Sequence, residues 1–499
     1  MNGYTNGNGV TTHDYDVLII GAGISGVNAA YRVQTNLPGS SYTILECRND
    51  IGGTWSLFKY PGVRSDSDLH TFGFPFNPWT KANSIATGES IVEYMQQTVE
   101  KFGIDKHIEF RHRVSAANWS SDEQRWRVEV DDIEGGRRKV YYAKFVMMGT
   151  GYFDHEKPLQ AVIPGLENFK GTRVHPQFWP ENLDYKNKKM VVIGSGATAI
   201  TILPAVVDGG VGSVTMLQRS PSYIMNTPQH KEDDPKPLYE RLLPAWIAYR
   251  IKRVQFIFVA WALFFYCRTF PNHARGFITG EAKKLFPPDF PMEPHFKPAY
   301  NPWDQRLCFC PDADFFKCFN SGRAHVVTDT IKRITETGIE LNSGEFLEAD
   351  IIVTATGLRL QFCGNIALSV DKKPVNIPDC YMWRASMLTG VPNLGLSVGY
   401  VNASWALGSD TAARLITRLI NFMKDNGYTS ATPAISEEEA KNPTTPLDLH
   451  STYIKEGKRL IPHAGRTGPW SPRKTYFQDS WNANRADLNK GLQFAKVST

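Results

Sequence analysis

The stretch Asp14-Tyr-Asp-Val-Leu-Ile-Ile-Gly21-Ala-Gly23-Ile-Ser-Gly26 decides the fold of this chain. Val17 to Ile20 is an uninterrupted apolar run, the pattern of a strand buried on both faces. A Gly-rich turn follows, then a helical stretch rich in Ala and Val, then Ser41-Tyr-Thr-Ile-Leu-Glu46, which reads as a second strand. This is the βαβ order of a dinucleotide-binding unit. Gly21 permits the tight turn, Gly23 lets the backbone approach a pyrophosphate, and Gly26 allows close packing of helix on strand. The phosphates then meet unpaired N–H groups at a helix N-terminus. Glu46 lies 20 residues after Gly26, at the end of the second strand, where a carboxylate binds ribose hydroxyls. That fits FAD or NAD.

A second copy starts at Lys189. Met190-Val-Val-Ile193 is a strand, Gly194-Ser195-Gly196-Ala-Thr198-Ala199 is the turn, and Ser213-Val-Thr-Met-Leu217 is the next strand. Ala in the third glycine position is tolerated in this fingerprint. After the strand the sequence reads Gln218-Arg219-Ser220, with no carboxylate. Arg219 and Ser220 suit a 2′-phosphate, which an acidic residue would repel, so the second site reads as NADPH. The alternative is a solvated surface arginine. Two further runs, Ala143 to Gly151 and Ala349 to Gly357, are apolar strands ending in G-T-G and A-T-G. They are expected to return the chain to the sheet edge near a cofactor.

The predicted fold class is therefore α/β, with two Rossmann-like dinucleotide-binding domains, one interrupting the other. Residues 1–13, Gly/Asn/Thr-rich, are expected to be disordered. Residues 14–150 form the first part of the FAD-binding domain, 151–345 the NADPH-binding domain with a helical insertion over about 230–295, and 346–430 the second part of the FAD-binding domain. Residues 431–499 form a polar, Pro-containing C-terminal extension expected to wrap the surface.

Composition bounds the function. At 42% hydrophobic and 21% charged, the 499 residues are not those of a disordered chain. A net charge of +5 over this length does not call for nucleic acid. The seven cysteines are odd in number and scattered, and Cys308 and Cys310 have poor spacing for zinc or redox work, so no metal site is expected. Such cysteines suit a reducing compartment, the cytoplasm. Val254 to Cys267 carries no charge over 14 residues, with Arg250, Lys252 and Arg253 before it and Arg268 after. It is short for a span of about 20 residues. A buried helix of the insertion and a peripheral membrane contact are the two readings, and a self-association face is a third; the oligomeric state is open.

Two dinucleotide folds imply hydride traffic between two cofactors. A disulfide reductase needs a redox cysteine pair that is absent here, which leaves reductases and monooxygenases. Phe169-Lys-Gly171-Thr-Arg-Val-His175-Pro-Gln-Phe-Trp179-Pro180 fits F-x-G-x-x-x-H-x-x-x-W-P, and Gly52-Gly-Thr54-Trp55 followed by Tyr60-Pro-Gly62 and Asp66 fits G-G-x-W, four residues, Y-P-G, three residues, D. On these two patterns the chain resembles the type I Baeyer–Villiger monooxygenases, of the class B flavoprotein monooxygenases. R-S-D-S-D (64–68), N-P-W-D-Q-R-L-C (301–308) and N-A-S-W (402–405) resemble the ethionamide-activating, FAD-containing group within them.

The resemblance implies FAD and NADPH as cofactors and O₂ plus a small ketone as substrates. In that family NADPH reduces FAD, O₂ adds at the flavin C4a, and the peroxide anion attacks the ketone to give an ester or lactone. Thioethers or thioamides are side substrates. The family's catalytic arginine maps to Arg306 and its carboxylate neighbour, also a cofactor contact, to Asp66. A guanidinium suits an anionic intermediate because it stays charged. Trp55 is expected close to the flavin with the Thr54 hydroxyl beside it. Phe169, Gly171, His175 and Trp179 belong to the connection before the NADPH domain, His175 coupling cofactor binding to domain movement rather than acting as a base. Many members carry Lys before the arginine; here it is Gln305, which leaves the NADPH preference to Arg219 and Ser220. Two alternatives stand beside this reading: an N- or S-oxidising flavin monooxygenase without a ketone substrate, and a non-catalytic cofactor-binding sensor.

Overall fold

The computed structural model describes residues 3–5, 11–446 and 457–496. A strand β1 over Thr11–Ile20 leads into the helix α1, Ile24–Asn36, and returns as β2, Tyr42–Leu45, parallel to β1. The strand β3, Arg137–Met148, lies on the other side of β1, also parallel, with Ile20 opposite Met148. These form the middle of a ten-stranded mixed sheet. Side chains of β1 alternate as a pleated strand requires: Val17 and Ile19 pack in one apolar cluster with α1, and Leu18 and Ile20 in another beneath the sheet. Both faces are covered, which is why the sequence there is apolar without alternation.

The second sheet has five parallel strands. In chain order they are β4, Thr172–Val174; β5, Lys189–Ile193; β6, Ser213–Gln218; β7, Ala324–Thr328; and β8, Ile351–Thr354. The spatial order is β7-β6-β5-β8-β4. The helix α2, Ala197–Asp208, connects β5 to β6. Met190 and Val192 face one cluster and Val191 and Ile193 the other, the same period of two.

Several expectations change. Thr11 to His13 belong to β1, and Gly3–Thr5 pair antiparallel with them, so the lead-in is not wholly unstructured; residues 1, 2 and 6–10 lie outside the described residues. The A-T-G strand Ile351–Thr354 sits inside the second sheet between β5 and β4, so the boundary expected at 345/346 falls after residue 357. The G-T-G and A-T-G strands are not at sheet edges. Each lies directly beside the opening strand of its own fold. The tail also does more than wrap the surface: Trp470 is fully buried, Ser430–Pro433 pairs with Leu492–Ala495, and the helix Tyr476–Arg485 packs on the long helix Trp405–Asn426. Residues 447–456 and 497–499 of that extension lie outside the described residues.

The insertion contains the helices α3, Ala245–Thr269, and α4, Pro271–Lys283. The apolar run 254–267 is not a buried helix: within it only Ile257 and Cys267 are buried. The helix α5, Trp405–Asn426, packs against α1 on the first sheet.

Candidate active site at the junction of the two folds

In the first fold Gly21 has φ +99°, and a Cβ there would stand 2.8 Å from the Gly149 carbonyl oxygen, at the end of β3. Gly26 is tighter still: its Cβ would lie 1.8 Å from the Gly21 oxygen. Gly23 is different. Its Cβ would meet nothing nearer than 3.6 Å, on the Gly53 Cα. Gly23 is also the N-cap of α1 and offers no side-chain cap, so the first N–H groups of that helix point into open space. Glu46 is buried; its Oε2 accepts the Ala22 N–H at 2.7 Å and its Oε1 the Arg48 N–H at 2.9 Å. Those bonds hold the carboxylate at the mouth of the turn with lone pairs to spare. These residues fit a dinucleotide whose pyrophosphate crosses Gly23 and whose ribose meets Glu46. Thr54 and Trp55 open a one-turn helix beside them, with Trp55 edge-on to Phe72 at 5.5 Å. The N-terminus of α5 arrives from the other side: the Trp405 indole stacks on Tyr152 at 4.4 Å and donates to Ser25 Oγ at 3.2 Å.

The second fold repeats the backbone. Gly194 has φ +133°, and a Cβ would lie 2.3 Å from the Ala355 carbonyl oxygen, after β8. A Cβ on Gly196, the N-cap of α2, would meet nothing within 4 Å. That space again fits a pyrophosphate. Ser195 Oγ donates to the Ser220 carbonyl at 2.9 Å and lies 3.2 Å from Ser222 Oγ, tying the turn to the loop after β6. Arg219 and Ser220 are exposed on the cleft wall. Thr198 meets the Tyr60 hydroxyl, whose pKa burial pushes up to about 12.

Tyr60-Pro-Gly62 is where the first fold docks on the second. Gly62 has φ +76°, and a Cβ there would stand 2.8 Å from Ala205 Cβ and 2.9 Å from the Thr201 carbonyl, both on α2. Arg64 then pairs with Asp314, and two residues on Asp66 pairs with Arg306. The latter is a two-pronged contact: Nε to Oδ2 at 2.9 Å and Nη2 to Oδ1 at 3.0 Å. Both side chains are partly exposed to the cleft. One continuous cleft of about 2010 Å³ includes Gly21, Gly23, Glu46, Thr54, Trp55, Asp66, Gly194, Ser195, Gly196, Thr198, Arg219, Gln305 and Arg306 on its walls. It exceeds the roughly 300–1,000 Å³ of a single small-molecule pocket. Residues 240 apart in sequence, Asp66 and Arg306, thus meet where both Gly-rich turns open.

The F-x-G-x-x-x-H-x-x-x-W-P residues are not on this wall. Phe169 is buried against Val191, Ile193 and Ile352; Trp179 is buried on the other face of the same sheet. A Cβ on Gly171 would lie 2.4 Å from the Asp350 oxygen, so that glycine lets β4 run beside β8. His175 caps a 3₁₀ turn through Nδ1, which accepts the Gln177 N–H at 3.2 Å. Burial lowers its pKa, against a hydrogen bond with the Gly357 backbone. Gln218, Tyr152 and Ser222 carry site geometry that the motifs did not single out. For Gln218 a signal existed: it occupies the strand-end position in β6 that Glu46 occupies after β2, since Gly21 N–H bonds the Leu45 carbonyl and Gly194 N–H the Leu217 carbonyl. Burial pushes the Cys308 thiol, two residues from Arg306, up to about 12, consistent with a packing role.

Comparison with known proteins places this geometry. Residues 14–237 match the family described as flavin-binding monooxygenase-like. The chain is 44% identical over 468 residues to the FAD-containing monooxygenase EthA of Mycolicibacterium smegmatis, covering 94% of each chain. It is 41% identical over 477 residues to the probable FAD-binding monooxygenase AlmA of Acinetobacter baylyi, covering 96% of this chain and 95% of that one. Among solved structures, OTEMO in complex with FAD and NADP superposes with a TM-score of 0.73 at 18% identity, over 96% of this chain and 99% of that one, a likeness of fold. The expected α/β fold and the expected enzyme class, an NADPH-dependent flavin monooxygenase, hold. With identity above 40% over nearly its whole length to such relatives, the chain belongs to the flavin-binding monooxygenase family.

Proposed function

We propose that this monooxygenase performs Baeyer–Villiger oxidation, inserting one oxygen atom of O₂ beside a ketone carbonyl to give an ester or lactone, with oxidation of thioether or thioamide sulfur as a side activity. The observation that carries the reading is the Asp66–Arg306 pair at the meeting point of the two Gly-rich turns. Bound FAD, reduced by NADPH, supplies the redox chemistry that activates O₂.

The chain's residues supply the rest. Gly23 and Glu46 would hold FAD by its pyrophosphate and ribose, and Trp55 and Thr54, on the same cleft wall, would lie near its flavin. Gly196, Ser195 and Thr198 would hold the second pyrophosphate, and Arg219 with Ser220 would take the 2′-phosphate of NADPH. Arg306, on the cleft wall, brings a charge that cannot titrate away near neutral pH and would stabilise negative charge building on the reacting oxygen atoms. Asp66 fixes the guanidinium plane through two parallel hydrogen bonds and offsets its desolvation as substrate displaces water. Arg306→Ala is expected to keep its FAD and oxidise NADPH to give hydrogen peroxide, with ketone conversion down about 10²–10³-fold. Ketone conversion at the parent rate by that variant would contradict the mechanism.

A further inference from the structure

We propose that the outer face of α3, with the start of α4, seats this protein on an anionic lipid bilayer. The helix packs on the body of the protein by one edge, and the short helix Leu238–Leu242 touches it at Lys252 and Gln255. Arg253 turns inward and donates to the His70 and Gly73 carbonyls at 2.7 and 2.9 Å, Ile257 packs with Tyr400 and Leu407, and Phe264 meets Trp303 edge-on at 5.5 Å. Beside that edge runs an apolar, largely uncovered stripe, Val254, Phe258, Trp261 and Phe265. Trp246 is 61% exposed, Val259 62%, and Phe258 and Phe265 54% each. Phe258, Trp261 and Phe265 form a ladder with ring centroids 5.6 and 5.8 Å apart. Positions 254, 258, 261 and 265 recur at helical spacing, so they form one stripe. Phe277 of α4 is exposed as well.

Charge selects the occupant. From residue 245 to residue 280 the chain carries no Asp or Glu, while Arg250 and Arg268 bracket the stripe and Arg241 precedes it. Arg250 lies over the Trp246 ring at 5.1 Å, and neither Arg241 nor Arg250 pairs with a carboxylate among the described residues. Arg268 pairs with Asp304 at 3.3 Å and Lys252 with Glu240 at 2.8 Å, so Arg241 and Arg250 are the cations this face offers to an anionic partner. Anionic headgroups beside acyl chains complement both the cations and the aromatic ladder. Among the described residues no single helix is long and apolar enough to cross a membrane, and α3 meets the helix that follows it at 117°. The helix lies along the interface. Its inner face touches Tyr400, a wall of the cleft, and Trp303, three residues before Arg306, so a docked enzyme holds its substrate cleft beside the lipid. The lipid contact does not depend on which substrate is oxidised.

The test is co-sedimentation of the FAD-loaded enzyme with vesicles of phosphatidylcholine alone and of phosphatidylcholine mixed equally with phosphatidylglycerol. The enzyme is expected to pellet with the mixed vesicles, several-fold less with the neutral ones, and to be released by salt. The double variant Phe258→Ser, Phe265→Ser is expected to bind the mixed vesicles about tenfold less or weaker, while retaining FAD and NADPH oxidation. Wild-type enzyme left in the supernatant with both vesicles, or a double variant that pellets equally, would overturn the proposal. Equal binding to both vesicle types would overturn its anionic part. A particle mass that falls by half in the double variant, without any vesicle binding, would assign the face to a second copy instead.

Discussion

The two Gly-rich turns carry out the same backbone task with different side chains, and the differences separate packing from recognition. In both, the first glycine has positive φ and abuts the end of the strand beside it, Gly149 in one fold and Ala355 in the other. In both, a Cβ on the second glycine would meet no clash: ordinary contact with Gly53 at Gly23, open space at Gly196. The third positions part ways. A Cβ on Gly26 would collide with the Gly21 oxygen at 1.8 Å, whereas Ala199 already carries a Cβ and is fully buried. The third residue therefore measures how closely the helix approaches its strand. The strand ends differ in the opposite sense. Glu46 keeps its carboxylate at the turn. Gln218, in the matching position, turns away to donate to Thr328 Oγ1 at 2.9 Å and the His295 carbonyl at 2.7 Å, leaving Arg219 and Ser220 exposed. One fold presents a carboxylate at its strand end and the other an exposed cation, as the proposed ribose and 2′-phosphate contacts require.

The comparison can be broken at each point. Gly26→Ala is expected to have the largest effect, destabilising the first fold by about 3 kcal/mol or more, because backbone and not a flexible side chain stands in the way. Loss of soluble, yellow protein is the readout; a normal melting temperature would show that α1 can move off β1. Gly23→Ala is expected to leave the apoprotein's melting temperature unchanged, since 3.6 Å to Gly53 is ordinary contact, yet weaken FAD by about 10–100-fold. Equal FAD affinity would move the pyrophosphate elsewhere. Arg219→Ala is expected to raise the KM for NADPH by about tenfold or more and leave that for NADH nearly constant. Parallel changes would deny Arg219 the 2′-phosphate. Ala199→Gly, the reverse of the first change, is expected to cost only about 1 kcal/mol and no cofactor.

Much of this was legible in the sequence. Positive-φ glycines and apolar runs are local requirements, so both turns and their strands could be read directly. Asp66 and Arg306 were brought together by motif alone, and the structure sets them 2.9 Å apart. What escaped the sequence was non-local. Ile351–Thr354 has the composition of any buried strand, and nothing local says which of two sheets it joins. The tail reads as polar, yet Trp470 and Leu488 fill the first fold's core, because a few apolar anchors suffice to pack a chain whose other residues face water. Tyr60-Pro-Gly62 was read as part of a family pattern; its contact with α2 appears only when the folds are docked.

The most direct test of the central claim is product analysis with ¹⁸O₂, NADPH, the FAD-loaded enzyme and a panel of linear, cyclic and aryl ketones beside a thioether. The account predicts an ester or lactone carrying one ¹⁸O atom, lost in Arg306→Ala. NADPH consumed to hydrogen peroxide with every ketone, and oxygen transferred to the thioether alone, would contradict it.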